Sequence, residues 1–387
     1  MDGTIQTIQR NSDRVLALLF IALMAALAVL NVPALRDAYR AARTDTAGTL
    51  QGTIRRLEKE YTDLFFLRSK FIDLNALAHL AMGQKVMNQV YRNADGMLFS
   101  FKALTAPKTA DDASPDSLVA LYRYAQEKGL PFLYVQHPSK VIRQKTVLSA
   151  GLADVANDTH DRRLGVLRAM GIPTLDLRES IRDHLEFYRT DHHWTVRTAF
   201  YATQSIVERL NSLYHLGLDP DGILTSLQNF DSLRYEDCFL GSHGIRVGPL
   251  FAGMDDFEML VPRFETDLHY RHYSAHRLDV ETDGAFPEAF VDFDLLEDPN
   301  YLNKYNACLK GGYVENVVEN RLASNDLKVL LVANSFARAM VQYFSLCFRE
   351  TRQLDPQGGR YSDSFIEYME AYRPDVVVVM FYGSIPL

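Results

Sequence analysis

Four short apolar runs restrict what this chain can fold into more than any other feature. They are Pro131-Phe132-Leu133-Tyr134-Val135, Ile172-Pro173-Thr174-Leu175-Asp176-Leu177, Lys328-Val329-Leu330-Leu331-Val332 and Val376-Val377-Val378-Val379-Met380. They read as continuous rather than alternating, which is the pattern of strands buried on both faces of a parallel sheet. Two are preceded by helical spacing: residues 117–128, with Leu118, Leu121, Tyr122 and Ala125, end at Gly129, and residues 155–170 end at Gly171. Helices and strands in alternation predict an α/β fold, a doubly wound open parallel sheet with helices on both faces. Residues 218–310 break that rhythm. Their turn signals (Asp219-Pro220-Asp221-Gly222, Gly241-Ser242-His243-Gly244, Asp298-Pro299-Asn300) predict a strand/loop insertion between two halves of the sheet. Excursions of that size often carry substrate contacts. The segment TAPKTADDASPDS, residues 105–117, is the clearest loop.

A different constraint acts at the N-terminus. Between Arg14 and Arg36 lie 21 residues without a charge. At about 1.5 Å per residue such a helix crosses a bilayer core of roughly 30 Å. A cleaved signal peptide with Ala26-Leu27-Ala28 as its processing site is the rival reading, but the apolar run continues past that point. The resulting division is an N-terminal tail (1–14), a transmembrane anchor (15–35), a charged helical stalk (36–60) and the α/β domain (61–387). Sidedness stays open on charge alone. Arg10 and Arg14 precede the run while Arg36, Arg40, Arg43, Arg55 and Arg56 follow it, yet long domains translocate largely regardless of such counts.

Net charge is −8, and the chain has no dense basic face of the kind that displaces counterions from phosphates, which excludes a nucleic-acid binder. Cys238, Cys308 and Cys347 are an odd set in a long chain and imply no disulfide framework; one pair could bridge, or all three could be small buried hydrophobes.

Two strings carry chemistry. Tyr188-Arg189-Thr190-Asp191-His192-His193-Trp194-Thr195 lies between the 172–177 strand and a helix beginning near Val196, for which Thr195 is a suitable N-cap. Leu330-Leu331-Val332-Ala333-Asn334-Ser335 ends a buried strand and places a serine where the next helix starts. Both strings then fall at the carboxyl edge of the sheet, where open α/β folds bind ligands. A serine hydroxyl becomes a competent nucleophile when an imidazole takes its proton and a carboxylate orients that imidazole. Asp191 and His193 supply both groups from one turn. His192 reads as a local packing or hydrogen-bonding residue, and Trp194 as a core residue. His269, His272 and His276 have a spacing that would converge on a helix, but no helical pattern surrounds them. Arg246 reads as a surface arginine. No residue set calls for a metal or cofactor.

The Asp191-His192-His193-Trp194 string, with Tyr188-Arg189-Thr190 before it and Ser335-Phe336 after a buried strand, resembles the DHHW family. That family is related to the SGNH-hydrolase-like O-acetyltransferases of the alginate type. The likeness runs from roughly residue 60 to the C-terminus and includes Asn88-Gln89-Val90, Asp95-Gly96 and Phe381-Tyr382. It implies Ser335 as nucleophile, His193 as base and Asp191 as the residue that orients the base. It also implies an extracytoplasmic domain, a polysaccharide acceptor and a membrane-bound O-acyltransferase as donor. One departure stands out: relatives carry Asp before the serine, and this chain has Asn334.

Two functions fit. The first is a membrane-anchored serine O-acyltransferase or esterase acting on a cell-surface or secreted polysaccharide. The second, suggested by Asn334, is a non-catalytic glycan-binding or scaffolding module at the membrane.

Overall fold

A computed structural model of the chain describes residues 2–43, 50–105, 116–274, 276–357, 360–361 and 364–381. Most of the 105–117 loop and Tyr382 therefore lie outside the described residues. The chain divides into two compact units, Met1–Ala78 and His79–Leu387, so the boundary falls later than residue 61.

The second unit is built on an eight-stranded sheet. Among the described residues thirteen strands make up this sheet and two smaller ones: β1 (Val86–Met87), β2 (Val90–Arg92), β3 (Leu98–Ser100), β4 (Phe132–Gln136), β5 (Thr174–Asp176), β6 (Phe230–Phe239), β7 (Asp255–Pro262), β8 (Leu268–Ser274), β9 (Arg277–Gly284), β10 (Glu315–Asn320), β11 (Lys328–Ala333), β12 (Glu350–Leu354) and β13 (Val376–Met380). The main sheet has the order β5-β4-β13-β11-β12-β10-β8-β9. The four continuous runs are neighbours in it, and β5, β4, β13, β11 and β12 pair in parallel.

Why these strands are apolar throughout is visible in the packing. Leu133, Val135, Leu331, Val376 and Val378 face one core, while Phe132, Tyr134, Leu330, Val332, Val377 and Val379 face the other. Helices Val196–Tyr214 and Arg338–Phe344 cover the first face. Helices Asp116–Glu127, Val155–Ala169 and Phe365–Tyr372 supply the second. With both faces dry, period-2 alternation has nothing to select it.

The sheet is not parallel throughout. β10 runs antiparallel to β12 and to β8, and β8 antiparallel to β9. Residues 218–310 are thus not a separate insertion: β8 and β9 extend the main sheet, and only β6 and β7 form a ribbon of their own. The physical reason is the one-sided burial of β8, where Leu268, Tyr270 and His272 point inward and their neighbours outward. An antiparallel strand with one wet face alternates, and a search for continuous runs passes over it. Outside it, β9 presents Arg277, Asp279, Glu281 and Asp283, charges that blunt an open edge. β1 and β2 meet in a two-residue turn in which Asn88 and Gln89 have φ of 47° and 61°, the left-handed pair of a type I′ hairpin.

In the first unit, helix Asp2–Leu30 absorbs the tail expected at 1–14. It ends at Asn31, and a second helix, Val32–Arg43, follows with Pro33 in its first turn. Proline cannot continue a helix because it lacks the N–H and crowds the preceding turn. No single helix among the described residues is long and apolar enough to cross a membrane; Arg14–Leu30 and Val32–Ala42, bent by 45°, meet that test only as a pair. Beyond them, Val32–Arg43 packs on helix Leu50–Leu64, so the expected stalk is a helical hairpin. Asn31 Oδ1 ties its base by accepting from the Phe66 N–H at 2.6 Å.

Leu331 is fully buried at the centre of the sheet. Leu331→Ala is expected to lower the unfolding free energy by about 2–5 kcal/mol, measured by denaturant titration.

Candidate active site

Local sequence sets each functional side chain in place. Thr195 caps helix Val196–Tyr214 by accepting from the Thr198 N–H, as its position before the helix requires. Just upstream the chain doubles back: Phe187 bridges Trp194, and the Tyr188 N–H donates to the His193 carbonyl at 3.3 Å. Residues 189–193 therefore form a tight loop. On the other side of the site β11 ends, and Asn334 caps the next turn by accepting from the Phe336 N–H at 3.1 Å. That turn, Ser335–Ala337, leads straight into helix Arg338–Phe344.

The two strings meet. His193 Nε2 lies 3.5 Å from Ser335 Oγ, and His193 Nδ1 lies 2.5 Å from Asp191 Oδ1. A ring nitrogen facing a carboxylate carries the proton, so the other nitrogen turns its lone pair toward the serine. A serine contact this long is ordinary for an unliganded site. Asp191 Oδ1 also accepts from the His193 N–H at 2.8 Å, and Oδ2 accepts from the Ser242 N–H at 2.5 Å. Burial by itself would raise the Asp191 carboxyl. The adjacent His193, then His192 and the Ser242 N–H, outweigh burial and hold it well below the usual carboxylate range.

Several residues that sequence reading passed over complete the arrangement. The Tyr305 ring stacks on His193 with centroids 4.1 Å apart and planes 12° apart, and its hydroxyl donates to the Phe336 carbonyl at 3.2 Å. One side chain thus touches both halves of the site. The Arg338 guanidinium sits 5.8 Å above the Tyr305 ring and donates to the Gly312 carbonyl and Asn306 Oδ1. The segment Gly241-Ser242-His243-Gly244, legible only as a turn, lies against the 189–193 loop. A Cβ on Gly241 would stand 2.2 Å from Asp191 Cβ. No local signal marks Tyr305 or Gly241, because both act across long sequence separations.

His192 Nδ1 hydrogen-bonds Ser242 Oγ at 2.8 Å, across fifty positions of sequence. Asp191, His192 and His193 bring donor atoms within 4.8 Å of one another. His193 Nδ1 is turned onto Asp191 and His192 Nδ1 onto Ser242, so these atoms are directed at protein partners rather than at a shared point. Trp194 is fully buried. His269 and His272 lie on β8 rather than a helix, and His269 pairs with Glu281. Arg246 is exposed and donates to the Asn88 carbonyl. All three cysteines are unpaired, Cys308 and Cys347 fully buried and Cys238 partly so.

A cleft of about 470 Å³ opens over Ser335, with Lys140, His192, His243, Asn334 and Phe336 in its walls. His243 is pushed down to about 3 by burial and by the charge of Lys140, so it is neutral at ordinary pH. The arrangement can activate a hydroxyl and hold an acyl group above it.

The class follows from this geometry and fold. Residues 90–227 match a family model described as an SGNH hydrolase-like domain of the acetyltransferase AlgX. That segment is therefore similar to an SGNH hydrolase-like domain, and it contains the Asp191–Trp194 string. Among solved structures it is similar to PatB1 of Bacillus cereus, solved with a sulfonyl adduct, at 18% identity and a TM-score of 0.59 over 77% of this chain and 94% of that one. It is similar also to a DHHW family protein from Eubacterium siraeum, at 16% identity and a TM-score of 0.54 over 76% and 91%. At these identities the structures speak for a shared fold. No curated protein matches the chain.

Gly241→Ala is expected to displace Asp191 and to cut turnover of a chromogenic acetyl ester at least about tenfold, since small misplacements at a reacting centre are costly. Gly165→Ala, where a Cβ meets nothing within 4 Å on an exposed helix face, should instead stabilise the fold by about 0.5–1 kcal/mol. Paired assays of turnover and thermal unfolding check both.

Proposed function

We propose that this chain is an SGNH-type serine O-acyltransferase, or the corresponding esterase, acting through Ser335, His193 and Asp191. The observation that carries this reading is the unbroken line Asp191 Oδ1–His193 Nδ1 and His193 Nε2–Ser335 Oγ at 2.5 and 3.5 Å. In the forward step Ser335 Oγ attacks the carbonyl carbon of an acetyl ester while His193 Nε2 takes its proton. The tetrahedral intermediate collapses, the donor oxygen leaves with the proton returned by His193, and an acetyl-serine remains. An acceptor hydroxyl then attacks the acetyl-serine and gives its proton to His193; the acetyl–Oγ bond breaks, His193 returns the proton to Ser335 Oγ, and the new ester departs; water in place of the acceptor gives hydrolysis. Asp191 stays anionic and offsets the charge on the imidazolium.

Asn334 fits this scheme. With Oδ1 on the Phe336 N–H, its amide NH₂ remains a donor beside Ser335, and a donor suits the developing oxyanion. The similarity to AlgX supports a polysaccharide hydroxyl as acceptor. Leu16, Leu19, Phe20 and Val29 are all more than 60% exposed, an apolar surface that supports burial of the helix Arg14–Leu30 in a bilayer. The domain then stands outside the cytoplasm, with acetyl groups supplied by a membrane-bound O-acyltransferase.

Ser335→Ala and His193→Ala should each reduce turnover by about 10⁴-fold or more, and the double variant should lose little beyond either, because triad members act as a unit. A sulfonyl fluoride should label the wild type at Ser335. A wild type without turnover whose serine stays unlabelled would favour the glycan-binding module instead, and full activity in either single variant would end the triad reading. For sidedness, a C-terminal alkaline phosphatase fusion should be active and a green fluorescent protein fusion dark. The reverse pattern would place the domain in the cytoplasm.

A further inference from the structure

The 189–193 loop is gripped from two sides. On its N–H side, Asp255 accepts from the Arg189 N–H at 2.9 Å, the Thr190 N–H at 2.7 Å and the Thr190 hydroxyl at 2.6 Å. On its carbonyl side, one ammonium does the matching work. Lys140 Nζ donates to the Arg189 carbonyl at 2.9 Å and to the Asp191 carbonyl at 2.5 Å. Lys140 reaches there from the segment that follows β4, about fifty residues earlier in the chain. It sits in the cleft wall, with Nζ 5.5 Å from the centre of the Phe99 ring.

We propose that Lys140 is a positioning residue for the triad, its ammonium holding the two carbonyls that flank Thr190 so that Asp191 aims His193 at Ser335. The inference rests on the triad reading above. Lys140 touches neither His193 nor Ser335 by any bond described here; it acts through the backbone of the residue that orients the base.

The charge on Lys140 is conditional. Burial draws its pKa from 10.5 down to about 7, while Asp191 and Asp255 favour the ammonium. The other titratable or charged groups that face it are His192 and Arg189 on the same loop and His243 on the helix Ser242–Val247; each imidazole is itself disfavoured as a cation by Lys140. The ammonium is the form that grips, so the grip weakens as pH rises through about 7. Arginine keeps its charge across that range and methionine never carries one.

The test uses the full chain in detergent, with initial rates on p-nitrophenyl acetate from pH 5.5 to 9 and Ser335→Ala subtracted as background. At pH 6.5, Lys140→Met is expected to lose at least 30-fold in kcat with KM within threefold of wild type. Lys140→Arg is expected to stay within tenfold and to move the alkaline fall in kcat upward by at least one pH unit. A Lys140→Met enzyme within threefold of wild type, a loss confined to KM, or an alkaline limb unmoved in Lys140→Arg would each overturn the proposal. If Lys140→Met lacks a thermal unfolding transition, the Lys140→Arg profile decides alone: a displaced limb supports the role and an unmoved one ends it. Should Ser335→Ala itself retain the activity, the triad reading has failed, a result distinct from all of these.

Discussion

Burial of the central strands on both faces is the constraint from which the site follows. β4, β13 and β11 each send alternate side chains into opposite cores, so helices must cover both faces of the sheet. Parallel pairing then puts their carboxyl ends at one edge. Lys140 leaves β4 at that edge, and Ser335 leaves β11 there. Two residues almost two hundred positions apart are brought together by the hydrophobic effect acting on valines and leucines that take no part in chemistry.

What the sheet does not supply is the aim of the imidazole. That comes from polar contacts concentrated on a very short segment. Thr190 donates to Asp255, accepts from the Gly241 N–H, and takes two more N–H groups, from His243 and Gly244, on its carbonyl. Asp191 accepts from its own loop and from Ser242. Tyr305 adds a flat surface against the His193 ring and a hydroxyl on the serine's turn. Buried polar networks are worth having only when their members are satisfied, and here the N–H groups of Arg189, Thr190 and His193, the Thr190 hydroxyl and the Asp191 carboxylate find partners within the site.

These two levels differ in how legible they are from sequence. Val376–Met380 and Lys328–Ala333 announced themselves because two-sided burial leaves an unbroken apolar run. Thr195 announced the helix after the loop because an N-cap is a local device. β8 did not, since one-sided burial gives Leu268, Tyr270 and His272 at alternate positions, a weaker pattern that turn signals obscured. Asp191, His193 and Ser335 were legible as residue types and through family likeness. Tyr305, Gly241, Asp255 and Lys140 were not: each is an ordinary residue whose importance lies in a partner 31 to 112 positions away or in a clearance that only coordinates reveal. The bend at Asn31 belongs to the same class, because an uncharged run reports length but not the break that Asn31 and Pro33 impose.

Asn334 shows how far a single atom can shift the reading. An Asp there would cap the Phe336 N–H equally well through one oxygen, and its second oxygen would stand as a negative charge or a lone pair beside Ser335. Asn keeps the cap and exchanges that second oxygen for an NH₂ donor. In the proposed scheme negative charge accumulates on the carbonyl oxygen above Ser335 during attack, and a neutral amide donor is compatible with that charge. Asn334 thus keeps the cap and is compatible with the proposed chemistry at Ser335, so the departure from the family pattern is by itself no argument against it.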